Sequence, residues 1–468
     1  MSALTDRILA ASRNDSLDAQ NRTLDWSWKD ILTIVAIGVI ANILIIAIPG
    51  FYSHDELNWQ NRIARDDYPW SLGLGSFTAS PFFRLLGAIF ISASLRLPLQ
   101  PFAAHLTEVL LSIATACLIY RAVGLFRPDR ALAAAILFML MPGFAYSAGW
   151  VAAGFDVQFA FWGVAYILCA VLYWRGGHQL YLIAGLAALV IALGCKETAL
   201  SIPICAALIL FIDRDRIDRG RVAILAALTG GLIAVYLGLR ATQILQMSVS
   251  GEGGYRFGNG SQIFKNLLAY FGYPFAPGIV EIQAFPFWDA RLVPRLILPH
   301  LVLVGLILWR AGSKWALIYL IAFYATLLPV LPISKYETQY TYAGSIALAI
   351  ALALLWERQW FVAVPVALLT LMLVAHGLMI QQRMYFLGFC QTRALETLKA
   401  VLPNAAPEAP RAVLIRDQDA PWWVIGVMFR AVLDNSFPLR GKLVKVPVTH
   451  DPDKAGMVFH PDCSVSIR

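Results

Sequence analysis

Long apolar stretches follow one another along most of this chain, and they constrain its fold more than any other feature. Only 14% of its 468 residues are charged and 59% are hydrophobic, which is too apolar for a soluble domain of this size. We therefore expect a mainly α-helical, polytopic bundle of transmembrane helices. A span needs about 20 apolar residues, and by this measure roughly 11 candidates are present: 31–48, 102–120, 131–148, 157–174, 179–194, 198–212, 222–239, 293–309, 315–331, 341–356 and 360–380.

Basic residues cluster in the polar stretches, and their placement predicts the topology. The net charge of +8 is explained by cationic loops that orient a membrane protein, so we expect no nucleic-acid partner. The clusters lie in the N-terminal tail and after the second, sixth, eighth and tenth candidate spans: Arg7, Arg13, Arg22, Lys29, Arg121, Arg127, Arg130, Arg214, Arg216, Arg219, Arg221, Arg310, Lys314 and Arg358. All fall on one side if the N-terminus is cytoplasmic. This predicts an integral plasma (inner) membrane protein whose C-terminal end is extracytoplasmic.

The apolar and polar stretches divide the chain into three regions. We expect a cytoplasmic tail at 1–30, a transmembrane module at 31–380, and a small α/β extracytoplasmic domain at 381–468. Two large external loops interrupt the module, at 49–101 and 240–292. Because no small-residue cleavage site follows the first apolar run, that run is expected to remain as an anchor.

Some parts of the external regions allow more specific expectations. Residues 80–97 are apolar but lie between prolines, so we expect a helix lying in the membrane interface; an ordinary span is the alternative. In the C-terminal region, strands are expected at 411–416, 442–448 and 457–460, with a short helix at 422–433. Cys390 and Cys463 can pair if the compartment is oxidising, which the sequence leaves open.

Two adjacent acids stand just past the first candidate span. Pro49 and Gly50 end the apolar run, and Asp55 and Glu56 follow within a few residues. A carboxylate at the membrane surface can remove a proton from an acceptor hydroxyl. On an extended segment adjacent side chains point apart, so one acid would face the reaction centre and the other would support it. The alternative is an ordinary helix N-terminus with acids in its first turn.

Further charged residues lie at the predicted outer membrane face. Asp156 opens a span, where an acid is costly unless it is solvated or paired; a helix cap is the alternative. Lys196 lies in a very short turn and suits a phosphate carried by a lipid, although a simple pair with Glu197 explains it equally well. Arg84, at the start of the predicted interfacial helix, is a second candidate phosphate ligand.

Other chemistries lack their sequence signatures. The chain has no HExxH motif, no CxxC pair, no Walker A loop and no GxSxG elbow. Asp55, Glu56, Asp156 and His54 offer an oxygen-rich set for Mg²⁺ or Mn²⁺. We nevertheless expect no obligatory metal or other cofactor.

Four stretches in order resemble the GT-C superfamily of integral membrane glycosyltransferases, which includes protein O-mannosyltransferases and the aminoarabinose transferases of lipid A. These stretches are Asp55-Glu56 after the first span, Pro81-Phe82-Phe83-Arg84 followed by Pro101-Phe102-Ala103-Ala104-His105-Leu106, Gly154-Phe155-Asp156 opening a span, and Lys196-Glu197-Thr198-Ala199-Leu200. Their order and spacing match over about residues 30–350. Each is weak alone, and the ordered set is more specific.

The resemblance implies a reaction and roles. The donor would be a polyprenyl-phosphate sugar, and the acceptor a hydroxyl of a glycan, lipid or protein. Asp55 would be the general base of an inverting displacement, with Glu56 and Asp156 beside it. Arg84 and Lys196 would bind the leaving phosphate. His54, His105, Glu197 and Tyr340 would support the site.

The sequence departs from the family in the last external loop, where related chains often have an Arg-Tyr pair. Here Gln339 stands before Tyr340, and Lys335 could supply the missing charge. Two other functions stay open. A transporter or flippase of a lipid-linked saccharide would need charges deep in the spans, whereas a non-catalytic envelope assembly partner would not need Asp55.

Overall fold

A computed structural model gives the fold of the chain. The structure describes residues 27–64, 84–250, 257–356 and 359–401, and in the C-terminal region the short stretches 415–416, 436–439, 442–446, 453, 455–460 and 462–467. Within these residues the α-helices are Trp28–Ala41, Ile43–Ile46, His54–Ala64, Leu85–Leu95, Phe102–Gly124, Pro128–Met139, Pro142–Gly149, Gly154–Gly176, Gln179–Cys195, Ile202–Asp213, Arg219–Ser250, Gly260–Gly272, Leu292–Ala311, Ser313–Ala325, Thr341–Leu355 and Trp360–Val401. The predicted mainly helical membrane protein is confirmed.

Six helices among the described residues are long and apolar enough to cross a membrane. They are Phe102–Gly124, Val151–Gly176, Arg219–Thr242, Leu292–Ala311, Thr338–Leu355 and Trp360–Val401. A seventh crossing results if Pro128–Met139 and Pro142–Gly149, bent by 51° at their junction, count as one span. The predicted number of about 11 spans is therefore not confirmed.

The remaining predicted spans are short or broken for identifiable reasons. The run 31–48 breaks at Asn42, whose side-chain amide donates to the carbonyls of Gly38 and Met139. Pro142 begins the second half of the bent pair, because proline suits a helix start but not its interior. Gln179–Cys195 and Ser313–Ala325 are apolar but have 17 and 13 residues, below the usual length of a span.

The helix in the predicted interfacial stretch is too short to cross a bilayer. Leu85–Leu95 has 11 residues. At about 1.5 Å per residue it extends about 16 Å, roughly half of a hydrocarbon core. Its length excludes the alternative of an ordinary span, whereas its lying in the interface stays a prediction.

The helices that carry site residues lie inside the bundle. Val151–Gly176 and Thr338–Leu355 are 67% and 72% buried over their most apolar windows, compared with 17% for Arg219–Thr242 and 22% for Leu292–Ala311. The inner helix Gly154–Gly176 packs against Phe102–Gly124 and Gln179–Cys195. Side chains near its N-terminus are therefore held on several sides by protein, whereas the outer helices present apolar side chains outward.

The helix Trp360–Val401, hereafter the last helix, crosses the predicted boundary at 380 without a break. Its 42 residues extend about 63 Å, enough to cross a bilayer and continue beyond it. Within the second predicted external loop, the structure has the helix Gly260–Gly272. The predicted loop start at 240 is still helical, since Arg219–Ser250 continues past it.

Five short strands are described in the C-terminal region; three of them lie within the expected stretches 411–416, 442–448 and 457–460, whereas Ser436–Leu439 and Val465–Ile467 were not expected. Ile415–Arg416, Met457–Phe459 and Val465–Ile467 form one sheet, in which the first pair is parallel and the second antiparallel. Ser436–Leu439 and Lys442–Lys445 form an antiparallel hairpin. The predicted helix at 422–433 lies outside the described residues.

Two connections join this region to the rest of the protein. The hairpin contacts the helix His54–Ala64, hereafter the acid helix, because it carries Asp55 and Glu56. A disulfide joins Cys390 on the last helix to Cys463. Phe437, Met457 and Phe459 are buried in the same apolar core as the bundle. The described C-terminal strands therefore pack on the part of the protein that holds the two acids.

Candidate functional site

A capping box starts the acid helix and separates the roles of its two acids. The Ser53 amide and hydroxyl both donate to Glu56 Oε2, at 3.0 and 2.7 Å, and the Asp55 amide donates to Ser53 Oγ at 3.1 Å. This reciprocal pattern satisfies backbone donors at a helix N-terminus. Glu56 thus turns back into the protein and is 1% exposed, whereas Asp55 is half-buried.

Burial determines the protonation of Glu56. Its removal from water raises the pKa of its carboxyl to about 8, and the hydrogen bonds from Ser53 only partly oppose this. Glu56 is therefore neutral at pH 7 and supports the helix start. Both acids therefore lie in the first turn of a helix, as in the alternative drawn from the sequence, and not on an extended segment. The role of Asp55 stays a prediction, and the His54 side chain lies outside the described part.

Lys196 and Asp156 form a buried ion pair. Each side chain is 2% exposed, and the lysine Nζ donates to Asp156 Oδ2. Lys196 Nζ also lies 4.3 Å from the centre of the Tyr340 ring. The pair joins the N-terminus of the helix Gly154–Gly176 to the turn after Cys195, so three separate segments meet at one lysine.

Arg84 and Glu197 form a second pair beside the first. The guanidinium donates from Nε and Nη2 to the two carboxylate oxygens, at 3.0 and 2.7 Å. These side chains are 21% and 30% exposed, so the pair is more accessible than Lys196. Because Arg84 and Lys196 are each paired with a carboxylate, an incoming phosphate would have to compete with or share those contacts.

Phe155 connects the acid helix to these charges. Its ring centre lies 5.6 Å from that of Trp59, one turn beyond Asp55, and 5.3 Å from Arg84 Cζ. Trp150, five residues before Phe155 in the chain, donates from its indole to Ser53 Oγ at 2.9 Å. The two acids and the two cations predicted from sequence are therefore parts of one packed region.

The other predicted residues lie at its edges. His105 places Nε2 3.1 Å from the Gly50 carbonyl oxygen, behind the segment that leads to Asp55. Lys335 pairs with Glu337 in its own loop and is 45% exposed. Gln339, where related chains often have arginine, is 8% exposed. The predicted phosphate role of Lys335 stays a prediction.

An apolar groove, hereafter the lateral groove, leads along the outside of the bundle to this region. It consists of two hollows of about 420 and 270 Å³ between Gln179–Cys195, Arg219–Ser250 and Leu85–Leu95. Val190 and Leu232 line both, so the hollows are adjacent. From Leu228 to Leu239 the groove follows its helix for about 16 Å.

The lateral groove ends beside cations. Leu85 and Leu239 line this end, and Arg84 and Arg240 are their immediate chain neighbours. Tyr236, also in the wall, hydrogen-bonds Arg240 and interacts electrostatically with Arg84 and Glu197. An apolar groove with arginines next to its wall residues is complementary to an amphipathic anion.

Several of these residues were missed from sequence. Arg240 was placed in a loop, although a cation closely following an apolar run was a usable signal. The capping role of Glu56 was readable from Ser53-x-x-Glu56. Glu108 is wholly buried in Phe102–Gly124, and its Oε1 would lie 2.5 Å from a Cβ on Gly154. The interior is therefore less free of ionisable groups than the sequence suggests.

Metal-ligand geometry is not evident in the described residues. No group of three or more His, Cys, Asp or Glu side chains there is placed to hold a metal ion.

Comparisons give matches at the level of structure. No protein-family model and no curated protein matches the sequence. The chain is similar to crystal structures of ArnT from Cupriavidus metallidurans, bound to undecaprenyl phosphate (14% identity, TM-score 0.43, 86% of both chains) and without ligand (14%, 0.48, 85% of both). It is also similar to the oligosaccharyltransferase of Archaeoglobus fulgidus tethered to an acceptor peptide (14%, 0.46, 92% of this chain and 65% of that one). Both are GT-C glycosyltransferases, the superfamily that the sequence resembles.

Breaking the buried ion pair from one side should cost more than removing both charges. Lys196→Met leaves Asp156 without its cation, and we expect unfolding free energy to fall by about 3–5 kcal/mol. Lys196→Met/Asp156→Leu should recover most of this loss. Thermal melts of purified protein measure both variants. Arg127→Met, which breaks an exposed pair, is the control and should change stability by less than about 1 kcal/mol. A double variant no more stable than Lys196→Met would contradict the expectation.

The raised pKa of Glu56 predicts a pH dependence of stability. The folded protein holds this proton up to a pKa of about 8, whereas the ordinary value is 4.5. The stabilisation is therefore complete below pH 4.5 and is lost as pH rises through 8. Glu56→Gln should flatten the fall in melting temperature between these limits. Glu396→Gln, on the exposed face of the last helix, should retain the wild-type slope; equal slopes for all three proteins would refute the argument.

Proposed function

We propose that this protein is a membrane glycosyltransferase that moves a sugar from a polyprenyl-phosphate donor to an acceptor hydroxyl. The observation that carries this proposal is the apolar lateral groove, whose wall residues Leu85 and Leu239 are the chain neighbours of Arg84 and Arg240. A polyprenyl phosphate has a long apolar chain and one anionic group, the two properties that this surface complements. The acid helix, in contact with the same Phe155 as Arg84, adds a candidate base next to that end.

The cations would stabilise the leaving group. Arg84, Arg240 and Lys196 lie near two carboxyl groups, Glu197 and Asp156, so these five groups together carry one net positive charge when all are ionised. As the anomeric carbon–oxygen bond breaks, the electron pair remains on the phosphate oxygen. Prepositioned cations stabilise this developing charge, which is commonly a large part of catalysis.

Asp55 would accept the proton of the acceptor hydroxyl as its oxygen attacks the anomeric carbon from the face opposite the phosphate. One carbon–oxygen bond forms and one breaks, and the anomeric configuration inverts. Glu56 is a poorer candidate because it is buried, neutral at pH 7 and bonded to Ser53. The half-burial of Asp55 supports its assignment as the base.

The orientation follows from the same assignment. The cationic loops support a cytoplasmic N-terminus, which places the acid helix and the region after the last helix outside the cytoplasm. The Cys390–Cys463 disulfide supports that side, since disulfides persist in oxidising compartments. The C-terminal strands, packed near the acid helix, would form a small extracytoplasmic domain that orients a glycan, lipid or protein acceptor. No cofactor is required by this mechanism.

Filling the lateral groove should weaken donor binding. A Cβ on Gly231 or Gly230 meets no atom within 4 Å, but only Gly231 lines the groove. Gly231→Leu should therefore raise the KM for a polyprenyl-phosphate sugar about tenfold or more while the fold is retained. Gly230→Leu is the matched control, because it adds the same side chain on the same helix. Equal KM values for the two variants would show that the donor does not lie in this groove.

Removing the proposed base should stop donor consumption. We expect Asp55→Asn to lower the transfer rate by about 10²–10⁴-fold, the usual contribution of general-base catalysis. Lipid extracts from matched strains carrying no protein, wild type, Asp55→Asn or Asp215→Asn test this by mass spectrometry. The lipid-linked sugar should accumulate in the first and third strains only; Asp215 is 90% exposed and serves as control.

The other outcomes are informative. If Asp55→Asn at normal abundance behaves as wild type, Asp55 is not the base. If the strain without the protein accumulates no lipid-linked sugar either, the transferase proposal is wrong.

A further inference from the structure

The short segment Pro49–Ser53, hereafter the entry segment, leads directly into the acid helix. Its backbone is bound by a side chain from far along the chain. The Phe51 amide donates to Gln391 Oε1 at 2.8 Å, and Gln391 Nε2 donates to the Ser53 carbonyl at 3.2 Å. Both bonds are buried, so neither competes directly with bulk water. One amide of the last helix therefore bridges two backbone groups within the entry segment.

The same turn of the last helix makes further contacts with the entry segment. Thr392 Oγ1 donates to the Pro49 carbonyl at 2.7 Å. A Cβ on Gly50 would lie 2.1 Å from the Gly388 carbonyl oxygen, so the two backbones touch directly. Cys390, in this turn, carries the disulfide to Cys463. The contact between the entry segment and the last helix is thus close and polar, and it depends on particular residues of one helical turn.

Ser53 transmits this contact to Asp55. Its carbonyl accepts from Gln391, and its hydroxyl accepts from the Asp55 amide and the Trp150 indole. His105, on the helix Phe102–Gly124, lies against the Gly50 carbonyl. The entry segment is therefore held by two different helices just before Asp55. A displacement of Gln391 would move the start of the acid helix.

We propose that Gln391 and Thr392 are positioning residues, which hold the entry segment so that Asp55 stays within reach of the acceptor hydroxyl. This inference rests on the proposed function, because it takes Asp55 as the base. Neither residue needs to touch a substrate. A shift of about 1 Å at a reacting group can cost about 100-fold in rate. Loss of these contacts should therefore lower kcat and leave donor affinity in the lateral groove unchanged.

Two substitutions in the last helix test the proposal with a matched pair. Thr392→Val removes the hydroxyl that reaches Pro49, whereas Thr397→Val removes one that bonds only to the Arg393 carbonyl of its own helix. We expect Thr392→Val to lower kcat about 10-fold with an unchanged donor KM. Thr392→Ser, which keeps the hydroxyl, should restore it. Thr397→Val should behave as wild type.

Gln391→Met tests the stronger contact, with Gln391→Glu as a partial replacement that keeps an acceptor for the Phe51 amide. We expect about a 100-fold loss of kcat for Gln391→Met. Hydrogen–deuterium exchange of the full-length protein should show faster exchange in the peptide that covers the entry segment and Asp55, with unchanged exchange in the remaining helices. This measurement does not require activity, so it applies even to an inactive variant.

The outcomes separate the two proposals. If the entry segment exchanges faster but kcat is unchanged, or if kcat falls only in proportion to the folded fraction, positioning by Gln391 and Thr392 is wrong. If exchange in that segment is unchanged in Thr392→Val and Gln391→Met, the contact itself does not hold it and the proposal is again wrong. If wild type transfers no sugar from the lipid donor, the proposed function has failed, and exchange still reports on the contact.

Discussion

The buried ion pair between Lys196 and Asp156 is the interaction on which the geometry of the charged region depends. Two desolvated charges are tolerable only when they face each other. This ion pair holds the N-terminus of the inner helix Gly154–Gly176 against the turn after Cys195. Arg84 and Tyr340 are then placed around that turn. The region is preorganised by its own electrostatics, so a ligand does not have to assemble it.

The remaining architecture isolates this region on one side and opens it on another. Inner helices bury Asp156 and Lys196, and the last helix covers the entry segment. The outer helix Arg219–Ser250 borders an apolar groove whose wall residues Leu85 and Leu239 are the chain neighbours of Arg84 and Arg240. The last helix thus supports the entry segment, whereas a different helix borders the lateral groove. A change in one of these helices can therefore leave the function of the other intact. Substitutions at Gly231 and at Gln391 are accordingly expected to affect different kinetic constants.

Much of this arrangement could be predicted from local sequence, and the exceptions have a common cause. The charges at 55–56, 156 and 196–197 each follow or open an apolar run, so their collection near helix ends was readable. Their partners were not, since Lys196 and Asp156 are 40 residues apart and Arg84 and Glu197 are 113 apart. The number of spans predicted from the sequence also exceeded the number of helices in the structure that are long enough to cross a membrane. Apolarity alone does not reveal the helix break in the run 31–48, which Asn42 stabilises by donating a hydrogen bond to the Met139 carbonyl.

The lateral groove has a consequence for how activity would be measured. A donor held there enters sideways from the bilayer, so the quantity that sets occupancy is its mole fraction among lipids. Adding detergent at fixed donor concentration would dilute the donor in that two-dimensional phase and mimic competitive inhibition. Rates from preparations with different lipid content would then be comparable only after conversion to surface density. In the native membrane, the proposed transferase would respond to how many carrier lipids bear a sugar rather than to their total amount.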